Sequence, residues 1–234
     1  MNKIPFYVVN FKNETRRNKM LERFRHFGVE PIFTPEVGGN DPRLDKAPDN
    51  CKRVWAVMLQ HLDSLRHFVE KTQQPYCIVC EDDIHLSRHL INDLEKIVPQ
   101  FQRKQLDVLL LGCLLPFAID MATCLHRQYF PMMEQVDGFS YHRYPDDLWG
   151  CQMYLISRDY SRFLISTYTI PYALDHLNTS FNYNPDWVIT KNGNRALVYP
   201  MVAVEEGVNV SNDASQVWFH RHCHAVNFNE KNYF

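Results

Sequence analysis

The chain lacks any long hydrophobic run. Its longest, Val108 to Leu115, is about half of the roughly 20 residues that a membrane-spanning helix requires, so no span is expected. A leader is not expected either: Lys3 leads directly into the strand-like Phe6-Tyr7-Val8-Val9, too short and too soon charged for a signal peptide, and a cytoplasmic location follows as the expectation. An excess of charge is also missing. With 25 Lys and Arg against 27 Asp and Glu, nothing marks a footprint for nucleic acid or an anionic membrane, so any affinity for phosphate must be local. Glycine is scarce, at 8 residues, and no glycine-rich phosphate loop, internal repeat or low-complexity tract is present. Paired cysteines are not evident, because the seven thiols are odd in number and Cys51, Cys77, Cys80, Cys113, Cys124, Cys151 and Cys223 mostly lie in apolar stretches, as reduced cysteines do. Cys77 and Cys80 have the spacing of a metal or redox pair, but along a strand they would point to opposite faces.

What is present suits a single compact domain. At 234 residues and 45% apolar content the chain can bury a full core, and strand-like and helix-like segments alternate, which predicts an α/β fold with a mostly parallel, mixed sheet flanked by helices. Strands are predicted at Pro5 to Val9, Ile32-Phe33, Pro75 to Cys80, Leu106 to Leu111, Gln152 to Ser157 and Ala196 to Tyr199. Helices are predicted at Thr15 to Phe27, ended by Gly28, and at Val54 to Lys71, Leu90 to Phe101 and Arg158 to Thr167. The segment from Pro35 to Asn50 reads as a loop, that from Pro116 to Pro145 as excursions and short strands, and that beyond Glu206 mostly as tail. Residues 1–112 would form a nucleotide-sugar and metal-binding half and 113–206 an acceptor-side half, followed by a tail at 207–234.

Glu81, Asp82 and Asp83 follow an apolar strand, and the C-terminal ends of strands are where ligands collect in open α/β sheets. Hard cations such as Mn²⁺ and Mg²⁺ are typically held by one or two carboxylates, with diphosphate oxygens and waters completing the shell. In extended geometry Glu81 and Asp83 share one side and Asp82 takes the other. The competing reading is a solvated acidic turn that caps the next helix, weakened by the apolar residues ending at Cys80 and resuming at Ile84.

These residues resemble glycosyltransferase family 25, which includes lipooligosaccharide galactosyltransferases and is similar to collagen galactosyltransferases. The resemblance runs from about Ile4 to Ser211. It takes in Val8-Val9-Asn10, then Arg16, Arg17 and Met20, then Gln60-His61 where the family has Ser-His, and Cys80-Glu81-Asp82-Asp83-Ile84. It continues through Trp149-Gly150-Cys151 to Tyr154-Leu155-Ile156-Ser157-Arg158, then Pro185-Asp186, Val198-Tyr199-Pro200 and Ser211, with Glu205 or Glu206 where Gln is usual. Membership implies a glycosyltransferase A type fold, a UDP-sugar donor, a glycan or glycoprotein acceptor, Mn²⁺ (or Mg²⁺) and inversion at the anomeric carbon. It also implies donor contacts at Val9, Asn10, Arg16, Arg17, His61, Asp82 and Gly150, and metal contacts at Glu81 and Asp83.

An inverting transfer needs a second carboxylate to deprotonate the acceptor hydroxyl. Asp186, after Asn184-Pro185, is the first candidate, with a helix N-cap as its alternative; Asp147, next to Leu148-Trp149-Gly150, is the second. Trp149 could cover the acceptor sugar or sit in the core. Arg16 and Arg17 could meet diphosphate or belong to a solvated helical face, and His61 could bond within the core. His220, His222 and His224 alternate, so in an extended segment they would share a face. His220 or His222 could then close the manganese shell, or with Cys223 nearby hold Zn²⁺. A carbohydrate-binding or adaptor protein that has lost turnover and a metal-dependent nucleotidyltransferase are the other functional classes that such carboxylates permit.

Overall fold

A computed structural model describes residues 4–119, 128–177, 182–208 and 213–234. Ten strands are present among them: β1 (Phe6–Val9), β2 (Ile32–Phe33), β3 (Tyr76–Glu81), β4 (Ile84–Leu86), β5 (Val108–Leu114), β6 (Met132–Val136), β7 (Phe139–His142), β8 (Trp149–Ser157), β9 (Arg195–Tyr199) and β10 (Ala203–Glu205). Helices are α1 (Glu14–His26), α2 (Lys52–Lys71), α3 (Leu90–Arg103), α4 (Arg158–Thr167), α5 (Ile170–His176), α6 (Pro185–Val188) and α7 (Ala214–Asn227). Eight strands form one mixed sheet in the order β2-β1-β3-β8-β5-β9-β7-β6. Pairing directions give six strands running one way, with β7 and β8 reversed. The mostly parallel expectation thus holds for direction. The reversed β8 was not foreseen; its insertion between β3 and β5 makes two pairings antiparallel, and β7 makes two more, four of the seven.

Period-two alternation divides the core into two layers. Tyr7, Cys77, Val79, Leu110 and Tyr154 face α2 and α4, packing with Trp55, Met58 and Leu164. Phe6, Val8, Ile78, Cys80 and Leu109 face α1 and α3, packing with Phe24, Leu94 and Ile97. Cys77 and Cys80 therefore lie on opposite sides of the sheet, as expected, and form no pair; every described cysteine is free and buried. Cys124 and Ser211 lie outside the described residues.

Local chemistry fixes the helix starts. Asn13 accepts a hydrogen bond from the Arg16 amide, Ser157 from the Tyr160 amide and Asn184 from the Trp187 amide, each filling an otherwise orphaned donor. Asp186 is consequently inside α6 and is not its cap. Gly28 takes φ 64° just past α1, the left-handed turn that a glycine allows.

Two expectations for the C-terminal part need correction. Ala196 to Tyr199 is not the last core strand, because β10 follows and pairs antiparallel with β4, Ile84 opposite Glu205. Gly112 permits this: a Cβ there would sit 2.6 Å from the Ala203 carbonyl oxygen, so only glycine lets β10 cross so close above β5. Nor is the region beyond Glu206 mostly tail, since 14 of its residues form α7. Its polar sequence hides the helix. Of the helix only Cys223 is buried, so the apolar stripe that would announce it is absent.

Candidate functional site

The strands β1 and β3 run parallel and end together, Val9 opposite Glu81, and a cleft of about 1230 Å³ opens there. Val9, Arg16, Glu81, Asp82 and Asp83 line it, with Lys19, Lys52 and Arg53 adding positive charge. Five of the expected site residues thus meet in one place.

The three acidic residues have different surroundings. Asp82 is fully engaged: Asn10 Nδ2 donates to it at 2.5 Å and Arg16 at 3.1 Å. Asn10 is held in turn by Gln60, whose Nε2 donates to the Asn10 carbonyl at 2.8 Å, so the residue that replaces the family's Ser has a structural task. Asp83 turns toward the same guanidinium, with Oδ2 3.0 Å from Arg16, while its buried Oδ1 has no hydrogen-bond partner. The chain leaves extended geometry after Glu81, so Asp83 joins Asp82 at Arg16; strict alternation would have placed the two on opposite sides. Burial pushes Asp83 up to about 6 against the pull of Arg16, with Glu205 and Asp82 adding to the rise. Glu81 is raised further by burial and by the negative charges of Asp83, Asp186, Asp82 and Glu205.

Glu205 reaches this group through the β4–β10 pairing, reinforced by the Glu206 amide donating to the Asp83 carbonyl at 2.7 Å. One Glu205 oxygen bonds His220 Nδ1 at 2.7 Å, and the other is buried without a partner. That bond raises the His220 imidazole above its ordinary value. Glu206 is driven upward by burial, yet its ion pairs with Arg23 and Lys19 hold it below the usual carboxylate range.

Because α7 is helical, the late histidines do not alternate across a strand. His220 and His224 share a face and both bond Glu205, His224 through the backbone oxygen at 2.8 Å. His222 points elsewhere and stacks on Trp218 with centroids 4.9 Å apart, so it is removed from the metal set.

Asp186 is held by the backbone amides of Gly150 and Cys151 and by the Cys151 thiol; burial raises it, opposed by these bonds and by Lys191. Its charge is felt at Glu81. Gly150 accordingly serves Asp186 through its amide and does not line the cleft. At φ 89°, a Cβ on Gly150 would collide with Gln152 and with the Leu114 amide. His61 is fully buried under the cleft, Nδ1 bonded to the Tyr154 hydroxyl at 2.9 Å, and burial lowers it to about 3.

Two further candidates fall outside the carboxylate group. Arg17 lies over the Phe33 ring at 4.0 Å, away from the cleft lining. Asp147 is exposed at a separate pocket of about 460 Å³, among Phe117, Tyr129, Trp149 and Phe219. Trp149 is 42% exposed there and meets Trp187 at 4.6 Å, so it is not a core residue.

Sequence reasoning missed Glu205 as a central carboxylate and Cys151 as a neighbour of Glu81, its Sγ 3.9 Å from Oε1. The three-residue strands that deliver Glu205 leave little periodic signal.

No protein-family model matches this chain, and no curated protein matches it. Among solved structures, A197 from STIV superposes with a TM-score of 0.47 and 11% identity over 86% of this chain and 83% of that one. Similarity at that level lends no weight to an activity, which has to be read from the side chains themselves. Among the described residues no helix is long and apolar enough to cross a membrane. What the residues establish is a mixed α/β sheet whose strand ends carry a basic-walled cleft over a cluster of buried carboxylates.

Proposed function

We propose that this protein is a glycosyltransferase of the glycosyltransferase A type, transferring a sugar with inversion from a UDP-sugar to a glycan or glycoprotein acceptor with the help of Mn²⁺ or Mg²⁺. One observation carries the reading: buried oxygens without donors on Asp83, which lines a cleft whose rim carries Arg16, Lys19, Lys52 and Arg53, and on Glu205 behind it. Leaving buried carboxylate oxygens unmatched is costly, and a bound cation relieves that cost. By donor type the residues suit a hard dication, since Glu81, Asp83 and Glu205 all offer oxygen and His220 stands behind Glu205, although their ligand atoms do not converge as those of His61, Glu81 and Cys151 do. Bound there, the ion would neutralise the departing diphosphate.

The chain's own side chains supply the rest. Lys19, Lys52 and Arg53 attract the phosphates, and Val9, Val37 and Ala56 offer apolar surface to the nucleoside. Asp186 takes the proton of the acceptor hydroxyl on its carboxylate, whose raised proton affinity suits a general base. Asn10 and Gln60 keep Asp82 and Arg16 in place.

A second reading, a sugar-nucleotide-binding protein without turnover, draws on Arg16, whose guanidinium already meets both Asp82 and Asp83. One experiment separates the two. The full chain is titrated with a panel of UDP-sugars in Mn²⁺, following binding by calorimetry and UDP release by a coupled assay. Binding with release supports transfer, binding without release the second reading, and neither rules out both.

A further inference from the structure

The face of Glu81 turned toward the protein interior carries a second group of ligand atoms, different in chemistry from the oxygens of the cleft. His61 projects from the middle of α2, Glu81 ends β3, and Cys151 stands on β8, the strand next to β3. One ligand atom from each residue lies within 4.8 Å of the other two. His61 and Cys151 are 0% and 1% exposed. His61 Nδ1 is occupied by the Tyr154 hydroxyl, while Nε2 is buried and has no hydrogen-bond partner. A buried imidazole nitrogen without a partner is costly in a core this well packed, and nothing in the fold of α2 requires it.

Histidine nitrogen, cysteine sulfur and carboxylate oxygen together are the donor types that bind Zn²⁺; Mn²⁺ and Mg²⁺ prefer oxygen alone. Tetrahedral zinc, with bonds of about 2.0 to 2.3 Å, places its ligand atoms roughly 3.4 to 3.8 Å apart, so a contraction of at most about 1.4 Å would close the present arrangement. Tyr154 occupies the position of an outer partner at Nδ1, and the tautomer in which its oxygen accepts from Nδ1–H, the one a zinc ion selects, presents the Nε2 lone pair. Asp186, bonded to the Cys151 thiol, stands beside this group and outside it.

We propose that His61 Nε2, Cys151 Sγ and a Glu81 oxygen form a buried Zn²⁺ site beneath the cleft, with the fourth position left open. The site stands on its own ligand group and shares only Glu81 with the transferase reading. A zinc ion there would fix the orientation of Glu81, which the cleft presents.

The test uses the full chain, stripped with a chelator and titrated with Co²⁺, whose spectrum reports its ligands. One equivalent should bind with intense visible bands of tetrahedral geometry and a near-ultraviolet thiolate-to-cobalt band. Zn²⁺ should displace it, and Mn²⁺ at the same concentration should not. Cys151→Ser should abolish the thiolate band while Cys51→Ser keeps it, and Tyr154→Phe should weaken Co²⁺ binding about ten- to a hundredfold. If Cys151→Ser does not fold, zinc K-edge absorption of the unaltered chain decides, with one sulfur scatterer at about 2.3 Å expected. Cobalt bound without a thiolate band, a band that survives Cys151→Ser, or a zinc shell without sulfur would each overturn the proposal.

Discussion

Glu81 separates two regions of opposite character. Toward the cleft it meets oxygen: Asp82 and Asp83 beside it, and Glu205 delivered by β10, with cations on the rim. Toward the interior it meets His61 and Cys151, with no positive charge among the clustered ligand atoms. Satisfaction of polar atoms does not follow that division. Asp82, Asn10 and Gln60 form a closed chain of hydrogen bonds, whereas Asp83, Glu205 and His61 each keep one buried atom without a partner. A network that satisfies one acid and leaves its sequence neighbour open is what the proposed ion at the second would require, because hydrogen-bonding capacity is available locally and is not used there.

Asp186→Asn is the strongest way to test the division of labour across Glu81. It should lower sugar transfer by about 10² to 10⁴-fold, the usual contribution of a positioned base, while UDP binding in Mn²⁺ stays within twofold. Transfer at the unaltered rate would remove Asp186 from the base role. Asp83→Ala should act on the other function. It is expected to weaken Mn²⁺-dependent UDP binding by about a hundredfold or more while the far-ultraviolet dichroism stays unchanged, the first ligand mattering at least as much as an outer one. Equal UDP affinity in chelator and in Mn²⁺ would show instead that Arg16 and the lysines hold the nucleotide alone.

Gln60→Ala attacks the closed network. It strands the buried Asn10 carbonyl, and the expected loss is about 1 to 3 kcal/mol of unfolding free energy in urea. His61→Gln sharpens the interior side through pH. Burial holds His61 near 3, below its ordinary 6.5, so the folded state keeps it neutral. A depressed cation means that the unfolded chain binds more protons in this range, so stability is fully present above about pH 6.5 and falls as pH drops toward 3. In the chelated protein, His61→Gln should flatten that acid limb of a melting-temperature profile; an unaltered slope would place the titration elsewhere.

Much of this fold is legible in the sequence because its long helices carry their own period and its central strand a continuous apolar run. Helix α2 shows apolar residues from Trp55 to Phe68 at helical spacing, and β5 is buried along its whole length. The acidic trio is equally visible, since three carboxylates in a row interrupt an apolar stretch. What the sequence conceals is placement by pairing. Nothing local announces that β8 enters reversed between β3 and β5, and so nothing announces that Cys151 will face Glu81. Glu205 is hidden for a related reason: three-residue strands have too few alternations to read, and Gly112 acts at a distance by what it omits. Helix α7 is obscured by its histidines, which suggested an extended segment because they alternate, although on a helix only every fourth residue returns to the same face.

That last distinction yields the smallest expected effect and a clean control. His220 and His222 are two residues apart, identical in chemistry and both on α7, yet one bonds a buried carboxylate and the other stacks on an exposed indole. Trp218 is 63% exposed, so the stacking partner of His222 stands in solvent and transmits nothing to Glu205. His222→Ala should therefore leave UDP affinity, Mn²⁺ dependence and melting temperature within error. His220→Ala should free the second Glu205 oxygen, adding uncompensated negative charge to a buried cluster, and so lower the stability of the metal-free chain while Mn²⁺ restores part of it. The measurement is paired thermal melts of both variants with and without Mn²⁺. If His222→Ala shifts with metal as much as His220→Ala does, the helical placement of the two histidines is wrong, and the oxygen-rich side of Glu81 has to be redrawn.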